Sequence, residues 1–279
     1  MEAVLKTPTN LSIKRTSKPH HTFTISLFIL LALYSIETYS NNLNDKLTSL
    51  PPWTESVGRL TIPSTKFEEG EQHSFRETCS ASLIGKKGAT SSNFILTAWH
   101  CFENYFDISR PISFEIKDLQ GNIISRVAYR QSSGGGMHAD WAILKLDKEV
   151  KRSKVKPVEY LILDTSIGDS VSIAGFAKYK ASFGDQYDLN YSECKVTKIV
   201  RDVRLTDCKA IKGNSGGAVT LKIDENNFGF VGVISEGNEE NISSFVPIEI
   251  FQREVQKYVD KRINLSRESA ATLPKNARN

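Results

Sequence analysis

The chain has little of what marks a nucleic-acid or metal protein. Its 36 Lys and Arg against 32 Asp and Glu leave a net charge of +4, with no Lys/Arg-rich run. A nucleic-acid partner is therefore not expected. Only four cysteines and five histidines are present, and no C-x2-C or H-x3-H spacing occurs among them. The adjacent His100-Cys101 pair cannot easily converge on one ion, so no metal and no other cofactor is expected. Long apolar runs are also missing. The one candidate, Phe23 to Ile36, has about 14 residues, against roughly 20 needed to cross a bilayer. That weighs against a stable membrane anchor.

What surrounds that run reads as a targeting segment. Lys6, Lys14, Arg15 and Lys18 precede it, and Thr38-Tyr39-Ser40 supplies a small residue for cleavage. Residues 1–40 are read as a signal peptide with a long basic leader, so the mature protein is expected to be secreted or periplasmic. The rival reading is an uncleaved anchor. In an exported chain, four cysteines imply two disulfides, with three connectivities open. Residues 41–56 are polar and proline-marked, and read as a linker or short propeptide.

Beyond them the texture is that of short strands. Val57–Ile62 alternates, Ser80–Gly85 and Phe94–Thr97 form a hairpin around Lys86-Lys87-Gly88, and Ile112–Ile116 pairs with Ile123–Tyr129 through Gln120-Gly121-Asn122. Trp99–Phe102 is predicted as a short helical turn, and Ser132–Gly136 as a loop that delivers Asp140. Further strands are predicted at Ser170–Gly175, Glu193–Val200, Ala218–Ile223 and Phe228–Ser235. Only Pro247–Ile263 has helical spacing, through Ile248, Phe251, Val255, Tyr258 and Val259. Residues 264–279 read as a polar tail.

Gly213-Asn214-Ser215-Gly216-Gly217, leading into Ala218-Val219, carries the chemistry. A serine between glycines before a strand suits a nucleophile on a tight turn, which a carbonyl can approach closely. An ordinary glycine-rich turn shares the pattern, and so does the nucleophile elbow of α/β-hydrolases. Chain order separates them. All five histidines (His20, His21, His73, His100, His138) precede Ser215, which excludes the order serine, acid, histidine. The order acid, histidine, serine is nearly excluded too, because the only aspartate before His100 is Asp45. Histidine, aspartate, serine remains. It is supported by Thr97-Ala98-Trp99-His100-Cys101 after the strand-like Asn93–Leu96, and by Asp140 at the head of the apolar run Trp141–Leu146.

These three stretches, in this order, resemble the histidine, aspartate and serine motifs of the trypsin/chymotrypsin-like serine peptidases, over residues 57 to about 259. The resemblance implies an all-β domain at 57–263. Its two packed six-stranded antiparallel barrels would span about 57–150 and 151–246, followed by a C-terminal helix. It implies a monomeric serine endopeptidase acting on peptide or protein substrates through His100, Asp140 and Ser215, with an oxyanion hole from the Gly213 and Ser215 amides. It favours the pairings Cys79–Cys101 and Cys194–Cys208. Lys209, Ala210, Ser235, Glu236 and Gly237 fall at substrate-binding positions, and Ser235 also matches a serine beside the aspartate. A catalytically silent binding protein on the same fold, and an esterase, are the alternatives.

Departures from the family pattern sharpen the expectation. Asn214 stands where trypsin-like zymogens carry an aspartate that pairs with a newly freed amino terminus, and no Ile-Val-Gly-Gly-type terminus is present. The resemblance is thus closer to bacterial-type relatives such as the glutamyl endopeptidases. Ile234, however, replaces the histidine of that group's specificity pocket, and Lys209 stands where trypsin has an aspartate. Glu236 replaces an aromatic residue and Ala218 a proline. These leave the specificity pocket unassigned.

Overall fold

The computed structural model describes residues 50–181, 184–225, 227–238 and 241–260. The expected signal peptide, the first part of the linker, the end of the predicted helix and the polar tail lie outside the described residues. One structural unit begins at Pro51.

Alternating apolar side chains build a first antiparallel barrel from β1 (Val57–Glu68), β2 (Glu71–Gly85), β3 (Ser91–Thr97), β4 (Ile112–Lys117), β5 (Ile123–Ser133) and β6 (Ala142–Lys151). The order is β1-β4-β5-β6-β3-β2, and the β1–β2 hairpin closes it. Leu60, Ile62, Leu83, Ile95, Phe114, Ile116 and Leu144 fill the interior. Closure leaves these six strands without a long free edge. A two-residue strand, β7 (Val158–Glu159), adds in parallel beside Ile84 and Gly85.

The second closed barrel comprises β8 (Ser170–Ala181), β9 (Gly184–Val200), β10 (Val203–Thr206), β11 (Ala218–Lys222), β12 (Phe228–Gly237) and β13 (Ser243–Pro247). Its order is β10-β13-β12-β11-β8-β9, around Val171, Ile173, Val196, Val219, Val231, Ile234 and Phe245. Strands β8 and β9 run well past the predicted ends. Their ladder continues from Ser170↔Lys195 to Ala181↔Gly184, whereas β11 pairs with β8 only over Val171–Ala174. Beyond the barrel they form a two-stranded ribbon. On β9 the alternation Tyr187, Leu189, Tyr191 continues the strand, and Leu189 and Tyr191, with Phe176 of β8, pack against the core.

Three expectations are corrected. Pro52–Ser56, read as part of a linker, form a 3-10 turn that buries Trp53, Thr54 and Ser56. Residues 203–206 and 243–247, not predicted as strands, are β10 and β13 and complete the barrel. Helical geometry does not begin at Pro247, which ends β13 opposite Gly232 with φ −73° and ψ 147°. A 3-10 turn at Ile248–Ile250 leads into a four-residue helix, α1 (Gln252–Val255), and a π-turn at Gln256–Asp260. Ile248, Phe251 and Val255 are its buried face, and Phe251 stacks on Trp141 with ring centroids 4.8 Å apart.

Candidate active site

His100 sits on the 3-10 turn His100–Phe102 that follows β3. Cys101 and Phe102 are buried, and Cys101 is bonded to Cys79 of β2. The disulfide anchors the turn from below and leaves the imidazole at the rim. The sulfur atoms beside His100 are therefore joined to each other and offer no thiolate to an ion. The second bridge, Cys194–Cys208, ties the segment before Ser215 to β9.

Asp140 lies just before β6, after the 3-10 turn Met137–Ala139, and is fully buried. Three donors reach its carboxylate. The His100 backbone N–H bonds Oδ1 at 2.8 Å, His100 Nδ1 bonds Oδ2 at 2.8 Å, and the Ser235 hydroxyl bonds Oδ2 at 2.5 Å. An ionised carboxylate only accepts, so Nδ1 carries the proton and the Nε2 lone pair of the neutral ring is free. Burial alone would raise the Asp140 pKa, but the bond and charge of His100, the Ser235 hydroxyl and the His100 N–H hold it below 3.8. Burial likewise disfavours the imidazolium of His100. The bond and charge of Asp140, with Glu103 and Glu236 adding, outweigh it and raise the pKa above 6.5.

Ser215 comes from the other barrel, on the turn that feeds β11. Its hydroxyl lies 3.4 Å from the Ser235 carbonyl oxygen, and it lines the same cleft as His100. Two glycines make this turn feasible. Gly213 has φ +96°, and a Cβ there would lie 2.6 Å from the Phe176 carbonyl oxygen. Gly216 has φ +83°, and a Cβ there would lie 2.2 Å from the Ser80 carbonyl oxygen.

Three carbonyls of the turn are held by hydrogen bonds. Lys178 N–H donates to Lys212 O at 2.8 Å, the Ser80 hydroxyl to Gly213 O at 2.8 Å, and Gly217 N–H to Asn214 O at 2.9 Å. In a trans peptide the N–H points opposite to the C=O. Fixing Lys212 O and Asn214 O therefore fixes the directions of the Gly213 and Ser215 N–H groups. Among the described residues neither N–H donates a hydrogen bond.

The cleft has a volume of about 550 Å³. Ser235, Glu236 and Gly237 line it together with His100 and Ser215. Lys209 and Ala210, expected at substrate-binding positions, are not in its lining. Cys208 is bridged to β9, Lys209 beside it is exposed, and Ala210 is buried behind Gly237, its carbonyl oxygen 2.4 Å from where a Gly237 Cβ would stand. Glu103, Met137, Leu205, Asn238, Ile242, Ser243 and Ser244 complete the lining and were not foreseen. Only Glu103 had a local signal, three residues beyond His100 on one helical turn. His138 points elsewhere, with Nε2 2.7 Å from an Arg201 guanidinium nitrogen.

The trypsin family profile matches residues 64–261. The chain belongs to the trypsin family. No curated protein matches this trypsin-family chain. Among solved structures, a thermostable serine protease, AL20 from an extremophilic microorganism, is similar with a TM-score of 0.52 and 17% identity. The match covers 71% of this chain and 93% of that one. At that identity the likeness supports the chymotrypsin-like fold, and family and fold together support a serine peptidase. Among the described residues no helix is long and apolar enough to cross a membrane.

Proposed function

We propose that this trypsin-family protein is an exported serine endopeptidase whose catalytic residues are His100, Asp140 and Ser215. The observation that carries the reading is the buried Asp140 carboxylate holding the protonated Nδ1 of His100, with His100 and Ser215 lining one cleft. His100 Nε2 takes the Ser215 hydroxyl proton as Oγ attacks the substrate carbonyl carbon. Negative charge then develops on the carbonyl oxygen, where the Gly213 and Ser215 N–H groups stabilise it. The imidazolium, paired with Asp140, gives its proton to the leaving amine, and an acyl-enzyme remains. Water, deprotonated by the same Nε2, attacks the acyl carbon, and the proton returns to Ser215 as the acid product leaves.

Export is supported by the two disulfides and by the basic leader and apolar run at 1–40. Asn214, in place of a zymogen-type aspartate, supports kinship with bacterial-type relatives. A fluorophosphonate probe should label the wild-type protein and leave Ser215→Ala unlabelled. Folded wild-type protein that never labels would mean a silent binding protein. Labelling with hydrolysis of esters but of no peptide would mean an esterase.

A further inference from the structure

We infer that Asn190 of β9 is a positioning residue: its side-chain amide clamps the loop 209–214 and so holds the peptide units that carry the proposed oxyanion donors. The inference rests on the peptidase reading above, and it assigns Asn190 a role in that reaction without contact with substrate.

The geometry is specific. Asn190 Nδ2 donates to Asn214 Oδ1 at 2.8 Å and to Lys209 O at 3.1 Å, using both of its hydrogens. A flipped Asn190 would aim its carbonyl at two oxygens, so its orientation is determined. Asn214 is determined as well. Its side chain is buried, and Oδ1 also accepts the Ile211 N–H at 2.8 Å. Its Nδ2 is buried with no partner among the described residues, so Oδ1 is the whole hold on this side chain. One of the two bonds to Oδ1 comes from inside the loop, and the other, from Asn190, comes from outside it.

Asn214 lies between the Gly213 and Ser215 peptides, and its own C=O belongs to the peptide that carries the Ser215 N–H. Without Asn190 the side chain keeps only the Ile211 N–H, a bond from within the same loop, and the peptide itself keeps only its bond from Gly217. Rotation of the peptide would turn the Ser215 N–H away from the developing oxyanion. A neutral amide does this work, so the loop needs neither a freed amino terminus nor a charge. Modification chemistry follows too. Asn190-Tyr191-Ser192 is an Asn-x-Ser acceptor site, and a glycan on Nδ2 would replace one of the two bonded hydrogens. Active protein must carry Asn190 unmodified.

The test uses the full chain as wild type, N190A and N190D, normalised by active-site titration. N190A should lose about tenfold or more in kcat with KM changed less than about threefold, and probe labelling of Ser215 should slow in proportion. N190D should do no better, because a carboxylate would face Lys209 O and Asn214 Oδ1. A merely structural role would lower the thermal midpoint and leave kcat per titrated site unchanged. N190A within about twofold of wild-type kcat would overturn the inference. If the variants fail to fold, wild type made in a glycosylating host decides the matter. Probe-captured protein should have bare Asn190, and captured protein fully glycosylated there would overturn the inference. A wild type that never labels would instead refute the peptidase reading itself.

Discussion

Removing one oxygen atom from Ser80 should both destabilise the fold and slow the enzyme. Ser80 is fully buried on β2, in the first barrel, and its hydroxyl serves two groups in the second. It accepts the Phe176 N–H at 2.7 Å and donates to Gly213 O at 2.8 Å. In Ser80→Ala both backbone groups are left buried without that partner, at about 1–3 kcal/mol each. The expected loss is about 2–6 kcal/mol, a large share of the roughly 5–15 kcal/mol that holds a domain folded. Because Gly213 O belongs to the nucleophile turn, kcat per folded molecule should fall as well. Two residues along the same strand, Ser82 is just as buried, but its hydroxyl has no partner among the described residues. Ser82→Ala should therefore be neutral or slightly stabilising. Urea denaturation at constant m-value measures both variants. Equal losses for the two, or a Ser80→Ala loss below about 1 kcal/mol, would refute the hydrogen-bond account.

Two further outcomes concern charge. Activity needs neutral His100, so kcat/KM should rise as pH climbs through a pKa above 6.5, and Glu236→Gln should move that limb to lower pH by removing a carboxylate that favours the imidazolium. The raised His100 pKa contributes stability below the unfolded value that is lost as pH rises through the folded one. The lowered Asp140 pKa contributes stability above its unfolded value that is lost as pH falls through the folded one. Glu103 and Glu236 line the cleft and no lysine or arginine does among the described residues. A peptide library should show basic side chains near the scissile bond preferred over acidic ones by roughly fivefold at low salt, shrinking as salt rises, with Glu236→Lys reversing the preference.

Local features of this fold were legible, and distant ones were not. Strands bounded by turn residues, such as Ile112–Lys117 and Ile123–Ser133 around Gln120-Gly121-Asn122, follow from composition within a dozen residues. The order of His100, Asp140 and Ser215 could be read because each is flanked by a distinctive run. Strands β10 and β13 are only four and five residues long, too short for periodicity to register. Ser80 and Asn190 carry no local signal, since each is defined by a partner elsewhere: Gly213 lies 133 positions from Ser80, and Asn214 24 from Asn190. Lys209 and Ala210 were placed by their distance in sequence from Ser215, and sequence distance does not say that the loop turns Lys209 to solvent and packs Ala210 against Gly237.

The proposed site draws His100 and Asp140 from the first barrel and Ser215 and Ser235 from the second, so its geometry is a property of the junction. The bonds that set it cross that junction: Ser80 N–H to Ser215 O at 2.8 Å, the Ser80 hydroxyl to Gly213 O and from Phe176 N–H, and the Ser235 hydroxyl to Asp140. A shift of one barrel against the other by about an ångström would strain these bonds together and carry Ser215 away from His100. Bonds that share two rigid bodies break as a group, so losses at the junction should be non-additive. Ser80→Ala combined with Ser235→Ala should therefore cost less activity than the product of the single losses, because either change already frees the barrels to slide.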